Sequence, residues 1–153
     1  MNEFDFGLRM ASALVLGALI GLERQWRQRM TGLRTNALVA VGAAMFVMMG
    51  GLIPGDRSQA RVAAYVVSGI GFLGGGLILK DGFHLRGMNT AATLWCTAAI
   101  GTLAGLGRFG FAAIGVGGVL AVNLVLRPAA RFVDQRGRVI PIFEQTRRGK
   151  TVV

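Results

Sequence analysis

One cysteine, one histidine and seven acidic residues are all that a chain of 153 residues has of those types. A lone cysteine, Cys96, allows no intrachain disulfide and no cysteine-rich metal spacing. His84 has no second histidine to share a metal with. With no Ser, His, Asp set or convergent carboxylate pair either, the expectation is a protein that is not an enzyme and that holds neither metal nor cofactor. Charge is scarce as well: 16% of the residues are charged, where a soluble domain carries about 25%. What is abundant is apolar surface, with 53% hydrophobic residues, and glycine, with 24.

The few charges cluster. Between the clusters lie stretches near the ~20 residues that a helix needs to cross roughly 30 Å of hydrocarbon. Five can be marked: Phe4 to Leu22, Thr35 to Ile53, Val62 to Leu79, Met88 to Gly107 and Phe109 to Leu126, the last four without a charge. In the first, Asp5 and Arg9 stand four residues apart, one helical turn, so they are expected to pair while Arg9 reaches toward the interface. Its acidic start, Asn2-Glu3-Phe4-Asp5, is unlike the basic start of a cleaved signal peptide, so the segment reads as a retained helix. The predicted fold is an all-α membrane protein, a compact bundle of five transmembrane helices over residues 1–126. A short basic cytoplasmic tail over 127–153 is too small for a core of its own. In that tail, 127–135 are expected to prolong the fifth helix and Val139 to Phe143 to be strand-like.

Orientation follows from the basic residues. With the amino terminus outside, thirteen Lys and Arg fall on the inner side and four, Arg9, Arg57, Arg61 and Arg108, on the outer. The net charge of +10 is then a topology signal, and nucleic acid is not an expected partner. The inner mouth gathers the densest polar residues beside apolar spans, and Glu23, Arg24, Arg34, Thr35, Asn89 and Thr90 are the candidate functional surface. Such a mouth repels cations and attracts anionic lipid headgroups, phosphate or an acidic partner. Glu23 has Arg27 four residues on, which leaves a structural ion pair and a ligand contact both open. Asn123 reads as an interhelical hydrogen bond.

Small residues recur at four-residue spacing inside the spans. Gly17 and Gly21, Gly71 and Gly75, and Gly101 and Gly105 are predicted to be helix-packing positions, because in lipid small faces let backbones approach closely. The turn Gly105-Leu106-Gly107-Arg108 predicts an antiparallel hairpin of the last two helices. A faint repeat links Gly32-Leu33-Arg34-Thr35-Asn36-Ala37 with Gly87-Met88-Asn89-Thr90-Ala91-Ala92, each opening a helix. Gly69 to Gly74 fits G-x-G-x-x-G, yet it lies within an apolar helix and Leu94 stands where an acid is needed. Helix packing, or a break at Gly74-Gly75-Gly76, is the reading. A break would offer backbone carbonyls to an ion, as transporters do. Gly87-Met88-Asn89 matches a tripeptide of one magnesium-channel family, but on the opposite membrane face, so Asn89 reads as a helix cap.

Three blocks together resemble the MgtC/SapB family of bacterial inner-membrane proteins. They are Gly17-Ala18-Leu19-Ile20-Gly21-Leu22-Glu23-Arg24-Gln25 followed by Gly32-Leu33-Arg34-Thr35, then Ser68 to Gly76, then Arg86 to Trp95. The resemblance implies a five-helix domain of the inner membrane, needed when magnesium is scarce and, in pathogens, for survival inside macrophages. It implies a regulator that binds the membrane sector of the F-type ATP synthase; a magnesium or other small-ion transporter is the alternative. Magnesium favours oxygen ligands, commonly carboxylates, and the four uncharged spans have none. A homo-oligomer is left open. The best-known members carry an ACT-type cytoplasmic domain after the fifth helix, whereas this sequence ends in the basic tail, so regulation through such a domain is not expected.

Overall fold

The computed structural model describes residues 1–27, 31–53, 59–81 and 84–126, leaving out the side chains at 79–81, 84 and 85. The predicted tail over 127–153, with its helix extension and strand-like stretch, lies outside the described residues. Two compact units divide the chain, Met1–Leu120 and Ala121–Val153. The first holds nearly all that is described.

Five α-helices form: α1 over Glu3–Trp26, α2 over Leu33–Leu52, α3 over Gln59–Gly76, α4 over Met88–Gly105 and α5 over Phe109–Ala121. After α5 the chain makes a π-helical turn over Val122–Leu126, which includes Asn123. The start of α1 is fixed locally. Asn2 accepts a hydrogen bond from the Asp5 amide at 2.8 Å, and Glu3 and Asp5 place negative charge at the positive end of the helix dipole. At the start of α2 the Leu33 amide donates to Gln25 Oε1 at 3.1 Å, so a side chain from the end of α1 caps the next helix.

The two repeat-like stretches begin their helices in the same register. Gly32 precedes α2 and Gly87 precedes α4, and in each case the helix starts at the next residue. Gly87 alone is left-handed, with φ of 93°, and a Cβ there would collide with the Leu77 carbonyl. It follows a short antiparallel hairpin. That hairpin pairs β1, Leu79–Asp81, with β2, His84–Arg86, in the register Leu79 to Arg86.

One expectation is corrected here and a second is met in part. The triple glycine Gly74-Gly75-Gly76 does not break a span; α3 stays helical through Gly76 and ends there. The Gly74 and Gly75 carbonyls accept from the Leu77 and Ile78 amides at 3.2 and 3.1 Å, tightening the last turn and occupying the groups an ion would need. The second concerns the five spans. By length and composition three helical segments can cross a bilayer, Glu3–Trp26, Leu33–Leu52 and Phe109–Leu126. Helices α3 and α4 have 18 residues each but are less apolar, through Gln59 and Arg61 at the start of one and Asn89 and four threonines in the other.

Helix α2 packs on α1, α3 and α4, and α1 also meets α4. The main core joins Ala13 and Ile20 of α1, Ala40, Ala44 and Met48 of α2, Ile100 and Ala104 of α4, and Ala112 and Val116 of α5. A smaller cluster, Ala43, Ile70, Leu94 and Ala98, seats α3 against α2 and α4. Alanine dominates because the helices come close enough to exclude anything larger. Outward-facing side chains are large and apolar, Phe4, Trp26, Phe72 and Ile114 among them, each over 70% exposed. A surface of this kind is suited to lipid.

Candidate functional site

The glycine positions separate into two classes. A Cβ at Gly17 would stand 2.6 Å from Ala40 Cβ, and one at Gly21 2.6 Å from Leu33 Cα. At Gly101 it would collide with the Ala40 carbonyl oxygen, and at Gly105 it would lie 2.7 Å from that of Ala44. Backbone therefore meets backbone along α1–α2 and α4–α2. Gly71 and Gly75, expected to pack as well, meet nothing within 4 Å. That expectation is corrected for the single chain: α3 packs on the bundle through buried Ile70 and partly buried Val66, and both glycines are exposed.

Close approach brings polar side chains together inside. Arg24 sits in the last turn of α1 and is 4% exposed. Its Nη2 donates to the hydroxyl of Thr90, in the first turn of α4, at 2.5 Å. Deeper in, fully buried Asn36 of α2 donates through Nδ2 to the Gly32 carbonyl at 2.9 Å. The Thr97 hydroxyl, also fully buried, lies 3.0 Å from Asn36 Oδ1 and 2.9 Å from the Thr93 carbonyl, two acceptors for its one proton. Thr93 in turn donates to the Asn89 carbonyl at 2.8 Å. The result is a polar seam along one face of α4, with Arg24 at its mouth and Asn36 beside its middle.

The six candidate residues do not form one cluster. Arg24 and Thr90 are in contact and buried. Glu23 pairs with Arg27 at 2.8 Å, the structural ion pair. Arg34 and Thr35 are exposed on α2 and line a cleft against α3, so Thr35 and Thr90 do not occupy matching environments despite their matching positions in the repeat. Asn89 is exposed and is not the cap of α4; Gly87 holds that place and no side chain caps the helix. At the opposite end of the bundle Asp5 pairs with Arg9 at 2.9 Å, and Arg9 Nη1 also donates to the Gly105 carbonyl at 2.9 Å. A charge in the first helix thereby satisfies the carboxyl end of the fourth.

Sequence reading missed Gln25 as the cap of α2 and the Asn36–Thr97 pair. Asn36 had a detectable signal, since an amide inside an apolar span must find a partner. Gln25 had none beyond its place in the first block. Among the described residues no group of three or more His, Cys, Asp or Glu converges.

Comparison with known proteins adds the following. The model of the MgtC family matches residues 10–132. An uncharacterized protein of Synechocystis sp. is 56% identical over 129 residues, covering 84% of this chain and 55% of its own length. Protein MgtC of Brucella abortus is 54% identical over 140 residues, 92% of this chain and 56% of its own. Protein MgtC of Salmonella typhimurium is 54% identical over 135 residues, 88% of this chain and 58% of its own. The chain thus spans little more than half the length of these relatives. No solved structure matches.

Proposed function

This chain belongs to the MgtC family, and from that premise we propose that it is a five-span protein of the bacterial inner membrane that supports growth in low magnesium. It does so by regulating a membrane partner through helix contact, and the membrane sector of the F-type ATP synthase is the partner the resemblance implies. In pathogens the same activity serves survival inside macrophages. Its amino terminus lies outside and its carboxyl end in the cytoplasm, as the thirteen-to-four split of basic residues argues. All five helices cross: α3 and α4 are less apolar than the other three, but Arg24, Asn36 and the α2 backbone shelter the polar face of α4, and α3 follows as its neighbour.

One observation carries the choice of regulator over carrier. The interior polar seam is made of hydroxyls, an amide and a guanidinium, with backbone contact at Gly101 and Gly105 closing the bundle around it. Magnesium requires hard oxygen ligands and is bound commonly through carboxylates. Of the carboxylates described near the two ends, Asp5 and Glu23 are each held by an arginine, and Glu3 is exposed at the very start of α1. Such an interior favours a rigid scaffold that presents an outer face to another protein.

The deciding experiment measures magnesium flux in sealed proteoliposomes alongside recovery of ATP synthase membrane subunits with the tagged chain from low-magnesium cells. Recovery of those subunits without protein-dependent flux is expected. Saturable, stoichiometric flux would overturn the proposal in favour of a magnesium or small-ion transporter.

A further inference from the structure

Helices α2 and α3 follow each other in the chain and run antiparallel, since a Cβ at Gly51 near the end of α2 would strike the Gln59 side chain that opens α3. They do not close on each other along their length. Between them lies a cleft of about 960 Å³, at the top of the ~300–1,000 Å³ range of small-molecule sites. Its walls include Leu38, Phe46 and Tyr65, which are 60%, 57% and 68% exposed. At Gly42 and Gly69, both lining residues, an added Cβ would meet nothing within 4 Å. No described residue fills this space.

Among the described residues the cleft is polar at one end only: Arg34 and Thr35 stand at the start of α2, every other described lining residue but Tyr65 is apolar or glycine, and none is acidic. From Arg34 to Met49 the wall runs 15 residues, about 22 Å at 1.5 Å per residue. One leaflet is roughly 15 Å deep, half of the ~30 Å hydrocarbon core. A chain suspended from Arg34 therefore reaches about the depth of Ala44 and stays inside the cleft throughout.

Resting on the membrane reading above, we propose that this cleft binds one anionic phospholipid of the adjacent leaflet, its phosphate on Arg34 and Thr35 and an acyl chain laid between α2 and α3. An exposed guanidinium with a hydroxyl on the next residue is the donor set for a phosphate oxygen. The one-sided polarity of the cleft repeats the head-to-tail polarity of the ligand, and the chain's net charge of +10 favours an anionic head. A protein helix fits less well. Helices associate in lipid through small residues that let backbones touch, and the open glycines of this cleft, Gly42 and Gly69, stand among the bulky exposed side chains Leu38, Phe46 and Tyr65, which hold a helix backbone off but leave room for an acyl chain.

The test uses the full chain, delipidated in detergent and examined by native mass spectrometry with added phosphatidylglycerol or phosphatidylcholine. One phosphatidylglycerol is expected to bind, with at least a fivefold preference over phosphatidylcholine, the ratio that one basic contact supplies. R34Q removes the preference, and G42F, which fills the cleft at a position with open space, lowers binding of both lipids. R34Q, at an exposed position, decides the matter by itself should G42F not fold. Equal binding of the two lipids, or a preference unchanged in R34Q, overturns the proposal. So does a dimer that G42F dissociates, since the occupant is then a second copy. Carbonate extraction of membranes separates the two levels: a chain extracted as peripheral sinks the membrane reading, and an integral chain without lipid preference sinks this site alone.

Discussion

Replacing Gly101 by alanine adds one methyl group, and the structure says where that methyl goes. It would collide with the Ala40 carbonyl oxygen and lie 2.7 Å from Ala40 Cα, so the obstacle is backbone and cannot rotate away. Helices α2 and α4 must separate. Overpacking costs about 1–3 kcal/mol, and a backbone obstacle argues for the upper end. Separation also stretches the Thr97–Asn36 hydrogen bond on the same face of α4, a contact worth roughly 0.6 kcal/mol in membranes. Alanine's better helix propensity returns about 1 kcal/mol. The net loss is about 1.5–2.5 kcal/mol, or a melting temperature lower by roughly 3–10 °C at ~2–4 °C per kcal/mol. The matched control is Gly71→Ala, where the added Cβ meets nothing and stability should hold or rise by up to ~1 kcal/mol. Both variants are compared by thermal unfolding in detergent at equal membrane abundance. A Gly101→Ala protein as stable as the parent, or a Gly71→Ala protein equally damaged, would refute the packing argument.

Three further outcomes are expected. Asn36→Leu and Thr97→Val should each cost about 1 kcal/mol, and a double-mutant cycle in detergent should find their losses non-additive because they share one hydrogen bond. Asn89→Ala should change stability by less than ~0.5 kcal/mol, since Gly87 and not Asn89 stands at the helix cap; loss of growth in low magnesium at normal protein level would then assign its exposed amide to a partner. Reporters placed at Gly55 and Arg108 should read outside and one after Lys150 should read cytoplasm, and a reversed pattern at all three sites overturns the charge-based orientation.

Several features were legible in the chain because they depend on neighbours in sequence. Hydropathy and clustered charge determined the helical membrane class. The i, i+4 spacing predicted the Asp5–Arg9 and Glu23–Arg27 pairs, which one helical turn brings together whatever the fold. Gly32 and Gly87 marked the starts of α2 and α4. Where the reading went astray, it asked sequence for more than local geometry. Asn89 looked like a cap because its type suits one, but the left-handed turn at Gly87 begins the helix two residues earlier.

Tertiary structure alone decided which equivalent faces are used. Gly71-x-x-x-Gly75 and Gly101-x-x-x-Gly105 are the same pattern, yet one faces open space and the other the α2 backbone. Periodicity tells which residues share a helix face and is silent on which face meets a neighbour. The same limit hid the Arg24–Thr90 contact, 66 residues apart in the chain, and the Asn36–Thr97 contact, 61 apart. It also sent Arg34 and Thr35 to a cleft between α2 and α3 that Arg24 does not line, because a polar side chain declares its need for a partner while only the packing of helices supplies one.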